Sequence, residues 1–218
     1  MSVEIAAARD MVDLLTGLAR HGDRTAVRWF APDGERPLSF ASLAQRLDAA
    51  AARLQAAGMR VGARVLLLAD SGLPWAIAAL AVVRGGGVLL PLDIHAGDDT
   101  LQHVLADAAP AVVLTDGARA PRCTGGAVPV LLIDALVDAP ASAGQPVAPT
   151  VAPPTVDPAD PVVMFYTSGT TGAPKGVPLS HANLLYQLRT VATLDLARPG
   201  DRVLLPLPMH HVYPFVIG

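Results

Sequence analysis

The residues best suited to chemistry lie in one short segment, 167–176, which reads TSGTTGAPKG. Its three glycines let the backbone turn tightly and approach a ligand closely. Four hydroxyl side chains and several backbone N–H groups can surround anionic oxygens, and Lys175 adds a positive charge. A polyphosphate fits this combination, so the segment predicts a phosphate-binding loop. The candidate binding residues are Thr167, Ser168, Gly169, Thr170, Thr171, Gly172, Lys175 and Gly176.

Two widespread phosphate motifs do not account for this loop. The Walker A pattern needs a Gly-Lys-Ser/Thr triplet, whereas Lys175 follows Pro174 and precedes Gly176. A dinucleotide-binding Rossmann motif is also disfavoured, because residues 70–74 after an apolar strand read DSGLP instead of a G-x-G-x-x-G pattern. The other alternative is a plain hairpin or linker, which glycine-rich stretches often form.

The segments on either side of the loop predict the elements that position it. An apolar strand is predicted at 162–166, before the loop. A helix capped by Ser180 is predicted after it, with Leu184, Leu188 and Val191 on one face. A loop held at both ends favours a binding site over a mobile linker.

Upstream of the loop, strands and helices alternate along the chain. Short, continuously apolar runs predict buried strands, and the stretches between them predict helices. The predicted strands are 64–69, 87–90, 111–115 and 128–133, and the predicted helices are 39–57, 74–83 and 99–109. Trp75 falls in an apolar helix pattern and is predicted to lie in the core. This alternation predicts an α/β fold with a mostly parallel sheet flanked by helices, whose ligands bind at the carboxyl ends of the strands.

A proline-rich stretch divides the chain. Residues 139–161 are rich in proline, alanine and valine, which predicts an extended connector on the surface. The predicted organisation is an α/β segment at 1–138, the connector, and the phosphate-loop strand and helix within 162–218. Such connectors join parts of one domain or separate two folding units, and the sequence leaves both interpretations open.

Composition narrows the class of protein. The chain has 218 residues, is 52% hydrophobic and carries a formal net charge of −3, which fits a globular protein and disfavours nucleic acid as a partner. Its single cysteine, Cys123, cannot form an internal disulfide. Charged residues interrupt the N-terminus and Arg84 ends the longest apolar run. Neither a signal peptide nor a transmembrane segment is therefore predicted, and a cytoplasmic location is expected.

Three stretches of the chain together resemble one enzyme family. Residues 166–176, YTSGTTGAPKG, resemble the signature loop of the adenylate-forming (AMP-binding) superfamily, which includes acyl-CoA synthetases and the adenylation domains of peptide synthetases. Residues 85–93, GGGVLLPLD, are similar to a strand and turn of that family. Residues 204–213, LLPLPMHHVY, are similar to its downstream substrate motif. In order and approximate spacing, the resemblance covers most of the chain from Phe40 to Gly218.

The resemblance implies an activity and roles for individual residues. It implies the large N-terminal domain of an enzyme that uses ATP to convert a carboxylic acid into an acyl-adenylate and then a thioester, with coenzyme A as the expected acceptor. It implies catalytic roles for Lys175 and His211, and it places His211 and Tyr213 beside the acyl substrate. Pro214 stands where many members have glycine. Residues 207–213 are most similar to fatty acid activators, which implies a fatty acyl-CoA ligase, while aryl acids and amino acids stay open.

The resemblance also implies functional parts outside this chain. In the family, the Mg²⁺ ligands, the adenine and ribose contacts, the hinge and the lysine of the C-terminal domain follow the matched region. The chain ends at Gly218 within an apolar run, so the domain is expected to be incomplete at its C-terminus. The isolated chain is expected to be inactive, with a missing C-terminal half or a complementing chain as its partner. Two alternatives stay open: a noncatalytic phosphate- or nucleotide-binding module or split subunit, and a degenerate fragment whose loop is a simple hairpin.

The histidines also have plainer interpretations. His210 and His211 are adjacent, so in an extended segment they would point to opposite sides, and no carboxylate or cysteine stands next to them in the sequence. No metal site is therefore predicted. For His211, the alternative is a loop histidine without chemistry. His95, His103 and His181 are predicted to be surface or capping residues.

Overall fold

The computed structural model describes residues 2–31, 34–137, 152–167, 173–194, 200–205 and 207–211. The helices are α1 (Ser2–Ala7), α2 (Met11–Thr16), α3 (Phe40–Ala56), α4 (Leu73–Arg84), α5 (Asp98–Ala108), α6 (Ala120–Cys123), α7 (Ile133–Val137) and α8 (His181–Thr193), with a 3₁₀ turn at Gly17–His21. The strands are β1 (Thr25–Ala31), β2 (Gly34–Ser39), β3 (Arg64–Leu68), β4 (Val88–Pro91), β5 (Val112–Thr115), β6 (Val130–Leu132), β7 (Pro161–Thr167) and β8 (Lys175–Ser180).

Six of these strands form one sheet, in the order β6-β5-β3-β4-β7-β8. The first five run parallel to their neighbours, and β8 runs antiparallel to β7. The predicted α/β fold, with a mostly parallel sheet flanked by helices, is confirmed. We call the edge at which β3, β4, β5 and β7 end the carboxyl edge, because ligands of parallel α/β sheets bind there.

The central strand β3 buries side chains on both faces of the sheet. Val65 and Leu67 pack in a cluster with α3 and α4, while Leu66 and Leu68 pack in a second cluster with α5. Successive side chains of a strand point to opposite faces, so an uninterrupted apolar run is needed to fill both layers. The two-sided burial explains why the sequence of this strand shows no polar alternation.

A second, two-stranded sheet of β1 and β2 was not predicted. The two strands pair antiparallel, from Thr25↔Ser39 to Ala31↔Gly34. Residues 34–37 of β2 are exposed and include Pro37, so this part of the sequence has the composition of a loop. Backbone pairing, more than burial of side chains, makes this segment a strand.

The predicted strand at 128–133 is wrong at its C-terminal end. Strand β6 stops at Leu132, and Ile133 begins α7. Ile133, Leu136 and Val137 are all buried in the cluster that includes α3 and α4. Helical spacing puts these three side chains on one face, whereas a strand would separate them. Packing against the neighbouring helices therefore decides where the strand ends.

In the described part of the proline-rich stretch, residues 152–160 form no helix or strand, and Pro161 already begins β7. Strand β7 follows it and pairs with β4, while β6, the last strand before it, lies at the far edge of the same sheet, so the chain on both sides of the stretch contributes to one sheet. Residues 138–151 lie outside the described part of the chain, and the three-part domain organisation stays a prediction.

Helix α4 is apolar around most of its circumference because it is enclosed by other elements. It packs against α3 and α2, and its buried residues include Trp75, Ile77 and Val82. Trp75 therefore lies in the core, as predicted. Within the part of the chain that the structure describes, no helix combines the length and the apolar character needed to cross a membrane.

His181 is buried, contrary to the prediction that it is a surface or capping residue. It is the first residue of α8, and only 1% of it is exposed. Its Nδ1 accepts a hydrogen bond of 3.3 Å from the backbone N–H of Met11, at the start of α2. Burial lowers the pKa of His181, and the charges of Asp10 and Asp160 oppose this shift. The neutral imidazole thus joins two helices that lie far apart in the sequence.

Acidification is expected to destabilise the chain partly through His181. The pKa of this residue is lowered in the folded state. Just below about pH 6.5 the imidazole is therefore protonated in the unfolded chain but still neutral in the folded chain. Its contribution to stability is complete above that pH and is lost as the pH falls towards the lower folded pKa. We expect the free energy of unfolding in urea to fall more between about pH 7.5 and about pH 5.5 for the natural chain than for His181→Gln. Equal pH dependence of the two proteins would contradict this role.

Candidate functional site

The predicted phosphate-binding loop connects β7 to β8, at the carboxyl edge of the sheet. These strands form an antiparallel hairpin whose last register pair is Thr167↔Lys175. The hairpin therefore brings two of the predicted binding residues opposite each other, and the side chain of Lys175 is exposed. Ser168, Gly169, Thr170, Thr171 and Gly172 lie outside the described residues.

Gly176 has a packing role that the sequence did not reveal. It pairs with Tyr166 across the hairpin. A Cβ at Gly176 would lie 2.8 Å from Sδ of Met164 and 3.3 Å from Cζ of Tyr166. Real Cβ atoms essentially never approach another atom as closely as the first of these distances, so a larger residue would force the Met164 side chain to move. A direct contact of Gly176 with phosphate stays a prediction.

Helix α5 contacts both arms of this hairpin. The hydroxyl of Tyr166 donates to Oδ2 of Asp107 over 2.6 Å, and Nε2 of His103 lies 2.8 Å from the carbonyl oxygen of Pro174. The rings of His103 and Tyr166 also meet edge to face, with centroids 6.5 Å apart. Burial, together with the hydrogen bond to Asp107 and its charge, raises the pKa of Tyr166 to about 12. The phenol therefore keeps its proton at neutral pH. His103 is half-buried against the hairpin, where the sequence predicted a surface or capping residue.

A groove of about 670 Å³ lies at the carboxyl ends of β3 and β4. It is lined by residues that follow these strands and by residues 205 and 207–211; among them are Asp70, Ser71, Asp93, Met209, His210 and His211. The backbone N–H of Met209 donates to Oγ of Ser71 over 2.9 Å, which ties the segment to the end of β3. The groove and the hairpin thus occupy the same edge of the sheet.

His210 is the more enclosed of the two adjacent histidines. Only 9% of its side chain is exposed, and its Nε2 lies 3.6 Å from Oδ1 of Asp93, which is beyond hydrogen-bond distance. Among the residues that the structure describes, this nitrogen has no hydrogen-bond partner. Burial lowers the pKa of His210, the charge of Asp93 raises it, and His211 and His95 lower it further. His210 is therefore held in its neutral form beside a carboxylate.

His211 is exposed at the rim of the groove, and the expected divergence of the two histidines is wrong. The segment turns here, because the backbone N–H of His211 donates to the carbonyl of Pro208 over 3.2 Å. The two imidazole rings are consequently only 4.4 Å apart. Tyr213 lies outside the described residues. Within the described ranges, no group of three or more His, Cys, Asp or Glu side chains could hold a metal ion.

Sequence reasoning missed a charged brace beside the groove. Arg119 reaches Asp70 over 3.0 Å and Asp116 over 2.5 Å, and these carboxylates follow β3 and β5. The backbone N–H of Asp70 also donates to Asp116. The signal that could have revealed it is the recurrence of aspartate just after three parallel strands, at positions 70, 93 and 116. The brace fixes the ends of β3 and β5, and therefore one wall of the groove.

The fold and these features define an α/β protein with a glycine-rich hairpin and a groove side by side at the edge where its parallel strands end. The chain belongs to the AMP-binding enzyme family, whose profile matches residues 16–218. The family resemblance of the sequence is thereby confirmed.

Two curated relatives show how much of a longer enzyme the chain covers. It is 32% identical over 205 residues to an L-proline–[L-prolyl-carrier protein] ligase of Pseudomonas fluorescens, which covers 90% of this chain and 40% of that protein. It is 34% identical over 170 residues to an adenylate-forming reductase of Coprinopsis cinerea, which covers 78% of this chain and 16% of that protein. The chain thus spans less than half the length of these relatives.

Two solved structures also match nearly all of this chain but less than half of their own length. The chain superimposes on a fatty acyl-adenylate ligase of L. pneumophila, in complex with acyl adenylate and pyrophosphate, with a TM-score of 0.82 at 26% identity. The match covers 98% of this chain and 38% of that one. For ATP-bound MatB of Rhodopseudomonas palustris the TM-score is 0.76 at 29% identity, over 95% of this chain and 42% of that one.

Proposed function

We propose that this chain supplies the phosphate-binding hairpin and one wall of the carboxylate site of an ATP-dependent, AMP-forming acid–thiol ligase. The observation that carries the proposal is the hairpin at the carboxyl edge, where Lys175 stands opposite Thr167. An exposed cation at the end of a buried parallel sheet is well placed to meet an anionic ligand. Family membership supports adenylate formation as the type of reaction.

The proposed chemistry has two steps. A carboxylate oxygen forms a bond to the α-phosphorus of ATP, and the bond from that phosphorus to the bridging oxygen breaks, so that pyrophosphate leaves with the electron pair. A thiolate then attacks the acyl carbon, and AMP leaves. Charge grows on the leaving phosphates during the first step, and fixed hydrogen-bond donors and cations stabilise it.

In this proposal the hairpin binds the β- and γ-phosphates. Lys175 contributes a positive charge, and the hydroxyls of Thr167, Ser168, Thr170 and Thr171, with the backbone N–H groups of the glycines, donate hydrogen bonds. Bound Mg²⁺ would neutralise further phosphate charge, and its ligands are proposed to lie outside this chain, as in the family. The catalytic role of Lys175 is thus to stabilise the leaving group.

We further propose that the groove beside the hairpin receives the carboxylate end of the acid. His211 stands at its rim, and Tyr213 follows two residues later, so both are proposed to contact the acyl substrate. His210 is enclosed beside Asp93 and is proposed to support the position of His211. A fatty acid is the first candidate substrate, supported by the structural match to a fatty acyl-adenylate ligase.

An amino acid is a second candidate substrate, with a carrier protein instead of coenzyme A as the thiol acceptor. Curated relatives at 30% identity or more include the L-proline–[L-prolyl-carrier protein] ligase and a phosphinothricin tripeptide synthetase of Streptomyces viridochromogenes. Both acceptors present a thiol, and the two-step chemistry is the same for both. Product analysis of a complete enzyme with fatty acids and with amino acids would separate the two candidates.

Acyl-adenylate formation is proposed to need residues that this chain lacks. The share of the relatives that the chain covers, 40% or less, supports this proposal. Exposed apolar residues support it as well, since Val203 is 62% and Leu204 is 78% exposed where a covering element would bury them. We expect the purified chain to release no pyrophosphate from ATP and a carboxylic acid. Release by the pure chain above the level of Lys175→Ala would contradict the proposal.

Calorimetric titration with pyrophosphate and with ATP tests the proposed phosphate site. Replacing Lys175 by alanine removes a charge-assisted hydrogen bond, so we expect binding to weaken by about 10- to 100-fold. Arg20→Ala is the matched control, because Arg20 is an exposed cation on the 3₁₀ turn and its replacement changes the net charge equally. Equal weakening by both substitutions would mean that net charge, not the hairpin, attracts the ligand.

Lysine chemistry gives an independent readout at the same position. Lys175 is the only lysine of the chain, so an amine-selective reagent modifies this side chain and the terminal amino group. We expect pyrophosphate to slow acetylation of Lys175, followed by peptide mass spectrometry, while the terminal amine reacts at an unchanged rate. Equal protection of both amines, or of neither, would count against pyrophosphate at the hairpin.

A further inference from the structure

Two side chains of α5 face the hairpin, one turn of helix apart. His103 and Asp107 are separated by four residues, a spacing that puts them on the same face of a helix. His103 contacts Pro174, which directly precedes β8, and Asp107 contacts Tyr166, which lies one residue before the end of β7. One helix face therefore contacts both arms of the hairpin.

We propose that this pair of residues, which we call the α5 clamp, fixes the two arms of the hairpin and thereby positions Lys175 for phosphate. The inference rests on the proposed function, because it takes the hairpin as the phosphate site. His103 and Asp107 are positioning residues, since they act through Pro174 and Tyr166 and not on the ligand itself.

The contact with His103 fixes the hairpin next to Lys175. A proline carbonyl can only accept a hydrogen bond, so Nε2 of His103 must carry the proton that it donates. Pro174 has a restricted φ angle, and anchoring its carbonyl restrains the peptide unit that leads into Lys175. The direction in which Lys175 leaves the hairpin is therefore set partly by α5.

The contact with Asp107 fixes the opposite arm. Tyr166 precedes Thr167, the register partner of Lys175, and its own partner across the hairpin is Gly176. The Tyr166 ring packs against Gly176, and its hydroxyl donates to Asp107 over 2.6 Å. Contacts with α5 thus hold the last two residue pairs of the hairpin. Strand pairing alone would leave these strand ends free to fray.

Pyrophosphate binding to the full 218-residue chain tests the clamp. We expect His103→Leu and Tyr166→Phe each to weaken binding by about five- to tenfold, the effect of losing one hydrogen bond that orients the site. His103→Gln keeps an N–H donor and is expected to retain most of the affinity. Gln102→Ala is the matched control on α5, because Gln102 is exposed and its neighbour His103 is untouched.

Hydrogen exchange provides a second readout that needs no ligand. Amide exchange at Lys175 and Gly176 is expected to accelerate in His103→Leu and in Tyr166→Phe, and to stay unchanged in Gln102→Ala. Far-UV circular dichroism and the urea midpoint identify any variant that has lost its fold. Tyr166→Phe removes a single oxygen atom, so it tests the clamp even if His103→Leu does not fold.

The outcomes separate the clamp from the phosphate site. Loss of affinity in His103→Leu with rescue in His103→Gln supports the clamp. Unchanged affinity in both His103→Leu and Tyr166→Phe, or equal loss in the Leu and Gln variants, overturns it while the phosphate site stands. If the folded natural chain does not bind pyrophosphate, the proposed function fails; faster exchange at Lys175 then still supports fixation of the hairpin by α5, and unchanged exchange overturns it.

Discussion

Replacing Trp75 by alanine is expected to lower the free energy of unfolding by about 3 to 5 kcal/mol. Trp75 lies in the first turn of α4 and is only 2% exposed, within the cluster that fills the space between the sheet and α3. Truncation removes a large apolar surface from the core and leaves a cavity. Helix α4 is enclosed by other elements and cannot move to fill it. Urea unfolding followed by far-UV circular dichroism measures the loss.

Trp75→Phe is the control that separates volume from hydrogen bonding. Among the described residues, the indole N–H of Trp75 has no hydrogen-bond partner. Replacing Trp75 by phenylalanine therefore removes no hydrogen bond with them. We expect this variant to lose only about 1 kcal/mol, from the smaller ring. A loss as large as that of Trp75→Ala would show that the indole nitrogen stabilises the fold by an interaction other than packing.

Removing Asp48 is expected to be the second most damaging substitution. Its carboxylate lies 2.8 Å from Arg84, whose side chain is 5% exposed at the end of α4. Asp48→Ala removes this ion pair from a buried guanidinium, which costs about 3 kcal/mol, at the low end for buried pairs because Asp48 is 19% exposed. The same urea titration measures this loss.

Replacing both members of the pair is expected to cost much less than removing Asp48. Burial raises the pKa of Asp48, and the charge and hydrogen bond of Arg84 only partly offset the shift. Because burial opposes ionisation of the Asp48 carboxyl, we expect apolar residues of similar volume to be tolerated at both positions. We expect Asp48→Leu with Arg84→Met to be more stable than Asp48→Ala. The reverse order would show that the pair is a net stabiliser.

Local patterns in the sequence predicted most of the sheet. The apolar runs at 64–69, 87–90 and 111–115 became β3, β4 and β5 with boundaries shifted by one residue at most. The cap at Ser180 was also predicted, and its hydroxyl accepts from the backbone N–H of Asn183. These features are readable because each depends on residues only a few positions apart.

The failures occurred where distant residues decide the outcome. His181 has the sequence position of a capping residue, yet contact with Met11, 170 positions earlier, buries it. Ile133 extends an apolar run, yet packing against α3 and α4 draws it into a helix. Exposed β2 showed no strand pattern, because its pairing with β1 uses the backbone.

The sequence by itself determined the α/β class and the family, and it predicted the strand before the candidate phosphate loop and the helix capped by Ser180 that follows β8. Each of these follows from contiguous residues whose spacing repeats or whose order is specific. Only the tertiary structure decided that α5 faces the hairpin, because Asp107 and Tyr166 are 59 positions apart and His103 and Pro174 are 71 apart. It likewise placed Asp93 beside His210. Such contacts depend on the order of strands in the sheet, which no local pattern specifies.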